Sequence, residues 1–112
     1  MEVQYTEKIK KYFIDKRKLE IIIGKDMAVK TKAIINFLLL SENFYEYCYV
    51  LRYGKPHHLS GGCFAICINQ NYRLIIEPQI NNLDSNHLKE CTCIIIKEVA
   101  DYHGGKINRI IP

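Results

Sequence analysis

The stretch 62–78, G-C-F-A-I-C-I-N-Q-N-Y-R-L-I-I-E-P, decides the fold. Phe64, Ile66 and Ile68 alternate with Cys63, Ala65 and Cys67, the period-two pattern of a strand with one buried face. Asn69, Gln70 and Asn71 supply turn chemistry, and a second apolar run, 72–77, follows until Pro78 stops it. This reads as a hairpin. A third strand is expected at 92–99, where β-branched residues dominate an apolar run.

Before residue 52 the period is helical. Residues 1–5 alternate Val3 and Tyr5 with polar partners and suit a short first strand. Thr6 is placed to cap a helix with Ile9, Tyr12 and Phe13 on one side. Asp15 is placed to cap a second helix carrying Leu19, Ile22 and Ile23, which Gly24 ends. Residues 25–41 form the main helix, with Met27, Thr31, Ile34, Ile35 and Leu38 on its core side. The stretch 41–50 reads as a short helix or turn, broken by Tyr53-Gly54-Lys55-Pro56. The polar, Asn-rich stretch 79–90 reads as a mobile loop, and the tail from Gly104 to Pro112 has no assignment. Its Ile107, Ile110 and Ile111 would form an exposed apolar patch if they do not pack. The expectation is one α+β domain over 1–112, with N-terminal helices on one face of a small antiparallel sheet.

Composition excludes several classes. The 112 residues are 48% hydrophobic, enough for a single core. Sixteen basic residues against twelve acidic ones give a net charge of +4, which permits an acidic partner without demanding one. No apolar run reaches the length of a membrane span, and the N-terminus lacks a secretory pattern, so a cytoplasmic protein is expected. Five cysteines, an odd number, suit reduced thiols. The Cys63/Cys67 and Cys91/Cys93 spacings are not those of a zinc knuckle, so no metal or other cofactor is expected.

Three separated segments carry groups that move protons or hold phosphate. Arg73 opens the second hairpin strand, and a guanidinium grips a phosphate through two hydrogen bonds; it also reads as a surface arginine paired with Glu77 or Asp101. His103 follows Asp101 and Tyr102 at a strand end, and an imidazole exchanges protons near neutral pH; it also reads as an exposed residue before Gly104. Tyr102 and His103 serve one cleft only if the chain bends at Gly104 and Gly105. Of His57 and His58, adjacent on an extended segment, one at most faces such a cleft. Arg52 and Lys55 add positive charge nearby, equally consistent with a solvated basic loop. Tyr72, Tyr102 and Phe64 are candidates for stacking on bases, although strand aromatics are more often core.

The order of these segments resembles the RelE-like toxins of bacterial toxin–antitoxin modules, most closely the HigB-type "killer protein" branch. G-K-P-H-H-L-S-G at 54–61, the hairpin with N-Y-R-L-I-I-E-P, I-K-E-V-A-D-Y-H at 96–103 and E-N-F-Y-E-Y at 42–47 carry the resemblance across nearly the whole chain. It implies a twisted antiparallel sheet with two helices on one side and metal-independent cleavage of mRNA in the ribosomal A site. There the 2′-hydroxyl attacks the adjacent phosphate and the 5′-oxygen leaves. It further implies that Arg73 holds the phosphate, that His103 and one of His57 or His58 handle protons, and that Tyr102 positions the substrate. Lys55, Arg52 and Tyr72 would contact RNA. The implied partners are the ribosome with its mRNA and a HigA-like helix-turn-helix antitoxin that covers basic or cleft surface and alone touches operator DNA. One departure stands out: the family's basic insert, L-x-G-D-R-K-G, is missing, because Leu59-Ser60-Gly61 runs straight into Gly62. That departure leaves room for a non-catalytic protein that only binds the antitoxin, and the fold also serves gyrase-directed toxins of the ParE type.

Overall fold

The computed structural model describes residues 1–103 and 106–111; the side chains of 103 and 106–109 lie outside that description. The elements run β1 (Glu2–Tyr5), α1 (Glu7–Ile14), α2 (Lys16–Ile23), α3 (Lys25–Leu40), the single turn α4 (Phe44–Glu46) continuing into a π-helical turn (Tyr47–Leu51), β2 (His57–His58), β3 (Phe64–Cys67), β4 (Tyr72–Pro78), α5 (Ser85–Glu90), β5 (Cys93–His103) and β6 (Lys106–Ile111). This is an α+β fold with a mixed six-stranded sheet.

The helices start where the sequence places caps. The Asp15 carboxylate accepts from the Arg17 amide at 3.0 Å, so α2 begins one residue later. Gly24, at φ 85°, ends α2 and lets α3 start at once. Thr6 precedes α1 without making a side-chain cap. Met27, Ala28, Thr31, Ile34, Ile35 and Leu38 of α3 are buried.

Strand order is β1-β5-β4-β3-β2, with β6 also on β5. The β3–β4 and β4–β5 pairs are antiparallel, as expected, but β1 pairs with β5 in parallel, Glu2 opposite Cys93 and Tyr5 opposite Ile96. The expected all-antiparallel sheet is therefore corrected to a mixed one. β5 has room for two neighbours along one edge because it is eleven residues long. β1 takes its first part, and β6 takes Val99 to His103.

One further expectation changes, and one question the sequence leaves open is answered. The stretch 79–90 is not a loop throughout: Asp84 caps the six-residue α5, accepting from the His87 amide at 2.9 Å, and Leu88 drops into the core. The tail is not free, since β6 extends the sheet and Ile111 is fully buried.

The core lies between the sheet and the helices. Ile9, Leu19, Ile34 and Leu38 from the helices meet Ile66, Leu74, Ile76, Ile94, Ile96 and Val99 from the strands. The opposite sheet face is covered more thinly, with Glu7 and Lys8 at the start of α1 beside Cys63, Ile75, Lys97 and Glu98. It carries a small cluster of Ala65, Ile75 and Ala100, flanked by Leu59, Cys63 and Tyr102.

Candidate functional site

β4 and β5 bring Arg73 and Tyr102 together on this second face. Arg73 lies opposite Cys67 on one side and Ala100 on the other, and paired residues share a face. The guanidinium carbon of Arg73 sits 5.4 Å from the centre of the Tyr102 ring, a cation–π distance.

Tyr102 reaches this face only through an irregularity. Ile94 and Ile96 point into the helix-side core. In an unbroken strand 98, 100 and 102 would follow them there. Between Ile75 and Ile76 of β4, however, β5 steps from Glu98 to Ile96, leaving Lys97 as an extra residue. This β-bulge reverses the phase. Val99 then faces the core, while Ala100 and Tyr102 join the open-face cluster.

The Arg73 head is held by its own turn. Nη1 donates to the carbonyls of Asn69 at 2.8 Å, Tyr72 at 3.1 Å and Gln70 at 3.2 Å. The Asn69 side chain in turn fixes that turn, accepting from the amides of Asn71 and Tyr72. Nε is buried and has no hydrogen-bond partner among the described residues. Nη1 thus braces the hairpin, and because Nε is shut off from solvent, an anion could be gripped only through the outer guanidinium nitrogens. Of the two acids the sequence pairs with Arg73, Glu77 instead meets Lys97, 3.9 Å away. Burial pushes the Tyr102 phenol above the usual tyrosine range; Arg73 lowers it and Glu98 raises it. The phenol is a hydrogen-bond donor at neutral pH.

Pairing separates the two histidines. His57 lies opposite Ala65, on the open face, and His58 opposite Phe64, on the helix side, with the two rings 5.2 Å apart. His57 is nevertheless two strands and one row away from Arg73, roughly 12 Å between Cα atoms from strand spacing and rise. Of the two, His57 alone shares a face with Arg73 and Tyr102, yet the structure does not bring it against them. The His103 side chain lies outside the described residues, as does the bend at Gly104 and Gly105.

Arg52 and Lys55 occupy a separate place, the turn before β2. Both adopt left-handed backbone, φ 52° and 49°, unusual for residues other than glycine. Tyr47 Oη donates to the Tyr53 carbonyl at 2.5 Å, and the Cys67 amide donates to the Gly54 carbonyl at 2.7 Å, so the turn is tied to the core at two points. Arg52, His57, His58, Phe64 and Leu88 are among the residues that line a cavity of about 320 Å³. Its Cys48 thiol, pushed up to about 12 by burial, is protonated and unreactive. Tyr72 packs partly into the helix-side core rather than on the Arg73 face. Gly61 and Gly62, both at positive φ, form the short turn between β2 and β3.

The sequence reading missed Lys97 and Asn69. The one is visible only as an interruption of strand alternation. The other looks like any turn asparagine until its five bonds are counted.

No protein-family model matches the chain, and no curated protein matches it. Among solved structures it is similar to a chain of the YoeB-YefM complex from Staphylococcus aureus, at 19% identity and a TM-score of 0.48, over 92% of this chain and 97% of that one. No helix among the described residues is long and apolar enough to cross a membrane.

Proposed function

We propose that the chain is a RelE-superfamily toxin of the HigB-like branch, a cytoplasmic type II module toxin that cleaves ribosome-bound mRNA and is neutralised by a cognate antitoxin. The observation that carries this reading is the Arg73–Tyr102 pair on an open sheet face, built from the segments whose order resembles that family. Arg73 would take a non-bridging phosphate oxygen on its outer guanidinium nitrogens and stabilise the charge that builds as the 2′-hydroxyl attacks. Tyr102, protonated, would donate to the phosphate or stack on a base. His57 and His103 are the candidates for the base that takes the 2′-hydroxyl proton and the acid that protonates the leaving 5′-oxygen. Arg52 and Lys55 would guide the RNA backbone.

Primer extension on mRNA after induced expression tests this. The parent chain should yield discrete cleavage ends. Tyr102→Ala and Arg73→Ala should reduce them at least tenfold, and Arg73→Lys, which keeps charge but loses the fork, should fall between.

A second reading has its own support. Nη1 of Arg73 is engaged by three carbonyls of its own turn, and the Gly61–Gly62 turn lacks the family's basic insert. Both favour a toxin-fold protein that binds an antitoxin and cuts nothing. Intact mRNA alongside antitoxin binding would establish it.

A further inference from the structure

Helix α3 is apolar on two sides. Its inner side is buried in the core. Val29, Ala33, Phe37 and Leu40, spaced four, four and three apart, fall in one stripe on the other side. Val29 is 62% exposed and Leu40 76%, and neither is covered by any other element. A helix apolar all round is ordinarily buried all round. The stripe continues beyond α3. The Phe37 ring stacks on that of Tyr53 at 4.4 Å, and the adjoining π-helical turn leaves Val50 and Leu51 exposed.

The charges beside the stripe indicate what covers it. Lys25, Lys30 and Lys32 belong to α3, against a single acid, Asp26, and beside Val29 the start of α2 adds Lys16 and Arg17 against Asp15 and Glu20, so bases outnumber acids along the stripe. Two copies apposed through this face would bring these lysines toward their own counterparts, on chains that each carry +4. A second copy is therefore a poor occupant. A helix with an apolar stripe and acidic flanks meets both needs, burying Val29, Phe37 and Leu40 while pairing with the lysines.

We propose that the outer face of α3, from Val29 to Leu40 and on to Tyr53, is a docking surface for an acidic amphipathic helix carried by another protein. This surface lies on the helix layer, away from the Arg73–Tyr102 face, and the inference does not depend on the RNA chemistry above.

The test uses the full chain and two fluorescent helical peptides of 18 residues. Both carry leucine at i, i+3, i+4 and i+7 spacing; one is flanked by glutamate and the other by lysine. Fluorescence anisotropy should show the glutamate peptide binding at least tenfold tighter. Val29→Gln and Leu40→Gln, polar but uncharged, should each weaken it tenfold or more. Ile14→Gln, at an equally exposed site on α1, should leave it unchanged. Circular dichroism melts confirm that each variant is folded. The proposal is overturned if neither peptide binds, if the lysine peptide binds as well, or if Ile14→Gln weakens binding as much as Leu40→Gln. It is also overturned if sedimentation shows a dimer that Leu40→Gln dissolves, since the occupant is then a second copy.

Discussion

The Arg73 guanidinium carbon lies 5.4 Å from the centre of the Tyr102 ring, and it is the influence that opposes burial in setting the phenol's ionisation. Burial and Glu98 both raise that ionisation. A difference titration between the parent and Tyr102→Phe, read by tyrosinate absorbance, should therefore have a midpoint above 10.0, the ordinary tyrosine value. The midpoint should rise further in Arg73→Gln and fall in Glu98→Gln. An unchanged midpoint in Arg73→Gln would mean that the two groups do not interact in solution.

Lys97 should be dispensable to the facing of β5's side chains, because it is the residue that the β4 ladder skips. Lys97→Ala keeps the bulge and loses only a half-exposed ion pair with Glu77, so it should cost less than about 1 kcal/mol. Deleting Lys97 closes the bulge and leaves Ile75 opposite Glu98 and Ile76 opposite Ile96, so Val99 stays in the core and Tyr102 on its own face. That deletion should therefore cost no more than about 2 kcal/mol in urea unfolding and keep the Tyr102 midpoint above 10.0. A deletion that unfolds the domain would refute the assignment of Lys97 as the extra residue.

β6 should be part of the cooperative unit. Ile111 is fully buried against the helix-side core, so Ile111→Ala should destabilise the domain by about 3 kcal/mol. Ile110, only half-buried, should cost clearly less on the same change. A chain insensitive to Ile111→Ala would mean that the tail adds nothing to the fold.

The start of α5 should respond to pH through Asp84 and His87. The Asp84 carboxylate accepts from both the backbone amide and Nδ1 of His87, at 2.9 and 2.7 Å. Those bonds lower the Asp84 pKa and raise that of His87. The His87 contribution is complete below 6.5, its ordinary value, and is lost as pH rises through the raised one. The Asp84 contribution is complete above 3.8 and is lost as pH falls through the lowered one. Hydrogen-exchange protection in α5 should therefore peak between those limits. NMR titration should show the His87 midpoint dropping toward 6.5 in Asp84→Asn. Both side chains are about half exposed, so salt should flatten the effect.

Local pattern carried much of the fold. The Asp15 cap, the Gly24 break, the core side of α3 and the hairpin around Asn69 each depend on neighbours within a few residues, and each is readable in the sequence. What was missed depends on distant partners. The parallel placement of β1 is fixed by β5, some ninety residues away. α5 has only six residues and a single core contact of full burial, Leu88, too little periodicity to separate it from a loop. β6 follows two glycines and shows no alternation because β5 supplies its register. In the candidate site, Arg73 and Tyr102 were singled out on separate grounds, but their meeting depends on a bulge at Lys97. His57 and His58 could not be told apart until their opposite partners, Ala65 and Phe64, were known.

The parallel pairing of β1 with β5 also orders events during synthesis. Glu2 and Cys93 lie 91 positions apart and meet only when both exist. The three N-terminal helices and the first strand are made early, yet the other five strands of the sheet come from the later half of the chain. Closing so long a segment is entropically costly and slow relative to helix formation. A growing chain therefore carries an uncovered helical layer until β3, β4 and β5 have been made. The face with Arg73 and Tyr102 side by side exists only once β5 has joined β4.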